Sequence, residues 1–237
     1  MSYLHQPLGQ LASQIPGATA IFHKYKLDFC CGGKELLAAA AVRRELDAQQ
    51  IDAELTLLAA SANTSGRDWT KASTEQLAHF ILERFHAKHR LQLPELTRLA
   101  RRVEQVHGDH PDCPTGLTIH LEQMYQELES HMHKEEQILF PMLCNGFFPA
   151  GPISVMQEEH LQHGDALAVM LQLAHDLQLP PGACNTWTAL YLGLKELKED
   201  LMEHILLENE ILFVERPAQS HNHQNHATKG QCCGSCQ

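Results

Sequence analysis

The segment His131-Met-His-Lys-Glu135-Glu-Gln-Ile138-Leu139-Phe140 recurs 73 residues later as His204-Ile-Leu-Leu-Glu208-Asn-Glu-Ile211-Leu212-Phe213. No other feature restricts the fold as strongly. A histidine and a glutamate four positions apart lie on one face of an α-helix, about 5 to 6 Å apart at Cβ, so both can reach one metal centre. A single such pair is ordinarily a surface hydrogen bond or a weak ion pair. Here both copies sit in the same apolar frame, and Ile-Leu-Phe at a fixed offset is expected to be core. A buried, charged glutamate needs a partner or a metal. Two such helices offer two carboxylates to bridge two cations and two imidazoles to terminate them, an arrangement suited to a pair of non-haem irons.

Two further segments complete the ligand count: Phe85-His86-Ala-Lys-His89 and Glu158-Glu159-His160-Leu-Gln-His163. By residue type alone His86 and His89 are equally eligible, and so are His160 and His163. One from each makes four histidines and two bridging glutamates. Each iron then has two nitrogens and two carboxylate oxygens, with room for a bridging oxygen species and an exogenous ligand. Ferritin-like sites use four glutamates and two histidines, so the histidine-rich set points elsewhere.

Breakers and periodicity predict an all-α chain. Residues 1–58 form a small unit of short helices punctuated by Pro7, Pro16 and Gly32-Gly33. Residues 59–72 have linker composition, and 73–217 read as a four-helix bundle. Ser73 or Thr74 caps a first helix to about His107, in which Pro94 is expected to cause a kink or a break. Thr115 caps a second to about Leu143, Ile153 starts a third, and Ala183 to Glu215 forms a fourth. The polar residues 218–237 are expected to stay unstructured. They carry His221, His223, His226, Cys232, Cys233 and Cys236, a set that could scavenge metal without a spacing that fixes geometry.

The chain's 237 residues, 43% hydrophobic, suffice for a core, and its net charge of -11 argues against a nucleic-acid partner. No apolar run is long enough for export or membrane insertion, so the expected address is the cytoplasm. The eight cysteines make a poor disulfide framework and are read as reduced thiols. Cys30 and Cys31, ahead of Gly32-Gly33-Lys34, are the notable pair: two small residues in a tight turn, or thiols that bind iron, accept a nitrosyl or exchange with a partner's thiol.

The opening Gln6-Pro7-Leu8-Gly9, the run Asp28-Phe29-Cys30-Cys31-Gly32-Gly33-Lys34 and the two His-x3-Glu helices together resemble the di-iron iron-sulfur cluster repair proteins, also called regulators of cell morphogenesis and nitric oxide signalling. The resemblance covers roughly residues 1–216. It implies a hemerythrin-like up-down bundle after a small helical domain, holding two oxo-bridged and carboxylate-bridged irons. It also implies a bacterial stress-response protein that restores damaged iron-sulfur clusters, plausibly by supplying iron, with a damaged iron-sulfur protein or assembly scaffold as partner. The family pattern selects His86 and His160, so the expected ligands are His86, His131, Glu135, His160, His204 and Glu208, with Cys30 and Cys31 as a relay. It also carries a histidine equivalent to His107. That residue stands about 31 Å from His86 along a continuous helix and is left out of the ligand set. Val214 replaces the proline expected after Leu212-Phe213, a change beyond the ligands. An alternative function is nitric oxide or dioxygen binding or reduction by the same centre, and a homodimer through the small domain is left open.

Overall fold

The computed structural model describes residues 2–61 and 68–215. The expected tail, with its histidines and cysteines, and residues 62–67 of the expected linker lie outside these residues. Every element in the described residues is helical, apart from an isolated bridge between Pro7 and Leu36. Helices α1 (Leu8–Gln14), α2 (Ala18–Lys24), α3 (Leu37–Arg43) and α4 (Ala48–Ser61) come first. The first three are too short to persist on hydrogen bonding alone. Burial of Leu8, Leu11, Phe22, Phe29, Leu37, Ile51 and Leu55 holds them. Backbone bonds from Leu8 N to Glu35 O and from Gly9 N to Gly33 O tie the start of α1 to the Cys-Cys-Gly-Gly segment.

The bundle begins with α5 (Thr74–Ile81), which passes through a π-turn at Leu82–His86 into α6 (Ala87–His107). Next come α7 (Leu117–Lys134), a π-turn at Glu135–Leu139, and α8 (Phe140–Cys144). Helix α9 (Ala150–Leu173) follows, and α10 (Asn185–Leu207) ends in a third π-turn at Glu208–Leu212. Helix α6 packs on α7 and α10, and α9 packs on the same two, which closes a four-helix ring.

Ser73 caps α5 in a reciprocal box with Gln76, as its position predicts. Three expectations need correction. Thr115 does not cap α7: the chain enters through Gly116 at φ 90°, and the Glu104 carboxylate of α6 takes the free Thr118 N–H and hydroxyl at 3.2 and 2.6 Å. Pro94 does not end its helix, which continues to His107. Helix α9 starts at Ala150 rather than Ile153, because Pro152 sits in the first turn, where an N–H would have no helical acceptor.

One apolar cluster joins the small helices to α10 and α6, and a second closes the far end around Phe85, Phe140 and Ile211. The two repeats differ in cover. Leu139, Phe140, Ile211, Leu212 and Phe213 are buried, but Ile138 is 54% exposed, against the expectation that both triplets are core. Ile211 lies in the second cluster with Leu77, Ile81 and Phe85, and α1 packs on the same Glu208–Leu212 turn. Glycine makes that approach possible: a Cβ at Gly9 would run into the Glu210 carboxylate of the turn.

His23 of α2 lies edge-on to Phe29 at 5.1 Å, and its buried Nδ1 has no hydrogen-bond partner. Burial, with help from Lys198 and Lys195, lowers its pKa to about 4. Its neutral form is thus favoured in the fold, whereas the unfolded chain takes up a proton near pH 6.5. The contribution to stability is complete above that pH and is lost as pH falls towards 4. For metal-free protein, the urea midpoint between pH 7 and 4.5 should fall less in His23→Leu than in the parent; parallel curves would exclude this origin.

Candidate metal centre

The three π-turns stand where the chain brings imidazole and carboxylate together. His86 closes the first, Glu135 opens the second and Glu208 opens the third. A π-turn adds a residue to the helix and re-aims the side chains beside it, which is why such turns collect at functional positions. The sequence reading did not foresee them. The same five-residue stretch of each repeat, Glu-Glu-Gln-Ile-Leu and Glu-Asn-Glu-Ile-Leu, adopts the turn, a signal visible only once one copy is known.

Two sets of four donors result. His86, Glu135, His204 and Glu208 form one; His131, Glu135, His160 and Glu208 form the other. Both glutamates belong to both sets and are fully buried, and the four histidines are at most 1% exposed. His86 Nε2 and His204 Nε2 stand 3.1 Å apart, as do His131 Nε2 and His160 Nε2. Two nitrogens bound at right angles about 2.1 Å from one ion would be about 3.0 Å apart. Glu135 Oε1 and Oε2 and Glu208 Oε2 are buried without a hydrogen-bond partner. Imidazole nitrogens approach them at 3.1 to 3.4 Å, charge against charge rather than along a bond. Orphaned carboxylate oxygens and converging nitrogens fit a pair of cations.

Electrostatics show what holds the cluster without them. Burial and the mutual repulsion of Glu135 and Glu208 oppose their ionisation, but the surrounding histidines prevail and both pKa values fall. Burial opposes the charged form of His131, yet Glu135, Glu208 and Glu159 push its pKa up to about 9. His86 is raised against the same penalty by Glu135, Glu208 and Glu136. Burial and the His86 charge drive His204 well down.

Outer partners aim the rings. His86 Nδ1 meets Glu136 at 2.8 Å, and His131 Nδ1 meets Glu159 at 2.8 Å. An ionised carboxylate only accepts, so each Nδ1–H donates and Nε2 is free to face the centre. Arg90 anchors Glu136, and Lys134 anchors Glu159. Phe140 lies against His86, and Phe213 stacks on His160 at 5.9 Å with planes 4° apart.

The repeat symmetry breaks at the position after each glutamate. Glu136, the partner of His86, is replaced in the second copy by Asn209, whose Oδ1 stands 2.9 Å from His160 Nδ1. Its Nδ2 donates to the Cys30 carbonyl oxygen at 3.4 Å. On the adjoining face, Cys31 Sγ lies 3.1 Å from the His160 carbonyl oxygen. The Cys-Cys loop is thus seated on the two segments that carry His160 and Glu208.

Other candidates lie apart. His89 and His163 are buried beside the cluster, their rings 5.5 Å from His204 and 4.9 Å from His131, and neither belongs to a donor set. Burial, then the neighbouring histidine charges, lowers the His163 pKa to about 3. His107 is at the far end of α6, with Nε2 3.2 Å from Cys184 Sγ.

Comparison with known proteins finds similarity along most of the chain. The model of the hemerythrin HHE cation binding domain matches residues 77–215. A second model, described as a domain of unknown function (DUF542), matches residues 4–59. The iron-sulfur cluster repair protein YtfE of Escherichia coli O157:H7 is 50% identical over 215 residues, which is 90% of this chain and 97% of the relative. The proteins of the same name from Escherichia coli O81 (strain ED1a) and Escherichia fergusonii are 51% and 50% identical over the same shares.

Asn209→Asp keeps an acceptor for His160 but sets a carboxylate against the Cys30 carbonyl. Losing that bond and adding repulsion should raise the alkylation rate of Cys31 about tenfold, roughly 1.4 kcal/mol of docking. Site-resolved mass spectrometry measures the rate, and an unchanged value would show that Asn209 does not hold the loop.

Proposed function

The chain belongs to the hemerythrin HHE family and to the iron-sulfur cluster repair proteins that carry this domain, and on that premise we propose that it restores damaged iron-sulfur clusters by supplying iron. Glu135 and Glu208 would be shared between about two irons per chain, with His86 and His204 holding one and His131 and His160 the other. The observation that carries this reading is the joining of two donor sets through two shared, fully buried carboxylates.

The donor set favours release. Four imidazoles and two carboxylates neutralise less cation charge than four carboxylates would, so ferrous iron is held less tightly. The bound pair supplies exchangeable iron, and the residues around it govern its departure. Glu136 and Glu159 keep Nδ1–H on His86 and His131, so those rings retain a donor lone pair at Nε2. When iron leaves, His131, whose pKa is pushed up to about 9, would offset part of the charge of Glu135 and Glu208, with His86 shifted in the same direction. Cys30 and Cys31, docked at the His160 face, serve as the relay towards an acceptor. The acceptor is a damaged iron-sulfur protein or an assembly scaffold, and the setting is the cytoplasm. No helix of the described residues is long and apolar enough to cross a membrane.

Glu135→Leu removes a ligand common to both sets. Bound iron should fall from about two per chain to well under one, and repair should fall with it; iron analysis beside a cluster-reactivation assay would expose the error if repair persisted with an empty bundle. Cys30→Ser/Cys31→Ser should retain iron and its absorption bands while slowing transfer several-fold. Transfer at the parent rate would remove the thiols from the path.

A further inference from the structure

Seating of the Cys-Cys loop leaves three donors converging outside the histidine-glutamate centre. Cys30 Sγ and Cys31 Sγ are 3.5 Å apart, and Cys30 Sγ is 3.4 Å from Asp28 Oδ1. One atom from each of Asp28, Cys30 and Cys31 falls within 4.8 Å of the others. A disulfide would need sulfurs about 2.05 Å apart. Two thiolates on one tetrahedral ion, each about 2.3 Å from it, would stand about 3.8 Å apart. The observed spacing lies close to the second value.

We propose that Asp28, Cys30 and Cys31 form a second metal site, taking one thiophilic divalent cation. The loop is built to present them. Asp28 Oδ1 accepts the Cys30 and Cys31 N–H groups at 3.1 and 3.0 Å, and Oδ2 accepts Gly32 N–H at 2.8 Å. These bonds hold the carboxylate beside the sulfurs. Gly32 permits the wrap, since a Cβ there would stand 3.0 Å from Asp28 Oδ2. Gly164 of α9 makes room from the bundle side, since a Cβ there would stand 2.7 Å from Cys31 Sγ. Cys31 is partly exposed and provides the entrance, while Cys30 is buried and closes the floor.

The chemistry balances without an oxidant. Each S–H bond breaks, each sulfur lone pair binds the cation, and two protons leave to solvent. Two sulfurs and one oxygen favour ferrous iron or zinc over magnesium or calcium. Two thiolates and a carboxylate exceed a divalent charge by one. Lys198 of α10 lies within electrostatic reach of Cys30, which counters the burial that lowers the lysine's pKa. In the donor role, on which this assignment of cargo rests, the ion is ferrous iron that has left the bundle at the His160 face, where Cys31 Sγ is 3.1 Å from the His160 carbonyl oxygen.

The test uses the full chain with Cys232, Cys233 and Cys236 changed to serine, freed of metal under anaerobic conditions and titrated with cobalt(II). The histidine-glutamate centre offers cobalt only nitrogen and oxygen, and thiolate-to-cobalt charge-transfer absorption that is lost with Cys30 and Cys31 reports this loop rather than Cys113, Cys144 or Cys184. It should saturate at one cobalt per chain, vanish in Cys30→Ser/Cys31→Ser, and require about tenfold more cobalt in Asp28→Asn. Because Asp28 also holds the loop, Gly164→Ala is paired with it: the variant removes no donor but crowds Cys31 and should weaken the same absorption. No thiolate absorption in the parent, or absorption unchanged in the double serine variant, would overturn the site. If the parent shows no band yet the serine pair slows iron transfer, the site falls and the relay stands. A band with unaltered transfer supports the site and removes the relay.

Discussion

Two carboxylates without solvent contact, Glu135 and Glu208, set the terms for everything around them. An ionised carboxylate taken out of water costs several kcal/mol unless charge and hydrogen bonds replace the lost hydration. Here the replacement is a ring of four imidazoles, two of them held towards the charged form. Three of them, His86, His131 and His160, are fixed in turn by Glu136, Glu159 and Asn209. Arg90 and Lys134 then anchor the two outer carboxylates from the more exposed margin. Charge alternates outward in layers, and the apolar wall of Phe85, Phe140 and Phe213 shuts water from the innermost layer.

The π-turns are the backbone counterpart of that demand. A regular helix could place one histidine and one glutamate on the centre, yet the partners from the opposite helices must meet the same points. The extra residue of each turn rotates the following side chains without ending the helix. Both glutamates open such a turn, and His86 closes the first. The apolar residues after each glutamate are therefore not equivalent by pattern alone, as the exposed Ile138 beside the buried Ile211 demonstrates.

The departures from two-fold likeness cluster where the small helices dock. Helix α1 packs on the turn of the second repeat, whose Ile211 is buried where Ile138 of the first is exposed. Asn209 stands where Glu136 stands in the first copy, and its amide satisfies a histidine and the Cys30 carbonyl together. A carboxylate could serve only the histidine. Gly9 and Gly33 bring the loop's backbone against Glu210, the next residue along the same turn. Ligand, amide link and docking contact follow one another as Glu208, Asn209 and Glu210, so the thiol loop and the centre share three consecutive residues.

Much of this was legible before any coordinates. Helical periodicity, breakers and the doubled His-x3-Glu motif determine an all-α bundle and name the two shared glutamates, because helical spacing alone puts those side chains on one face. Local chemistry likewise predicts the Ser73 cap. Composition could not separate His86 from His89 or His160 from His163; the choice depends on which nitrogens meet those of another helix, about 118 or 29 positions away in sequence. Thr115 was a reasonable cap until Glu104 of another helix supplied the acceptor. The sequence by itself determined the helices, the candidate donors and the thiol pair, all of which follow from short-range spacing. Only the tertiary structure decided which imidazoles converge, where helices bulge into π-turns and that Cys30 and Cys31 rest against the His160 segment, because each depends on contacts between residues far apart in the chain.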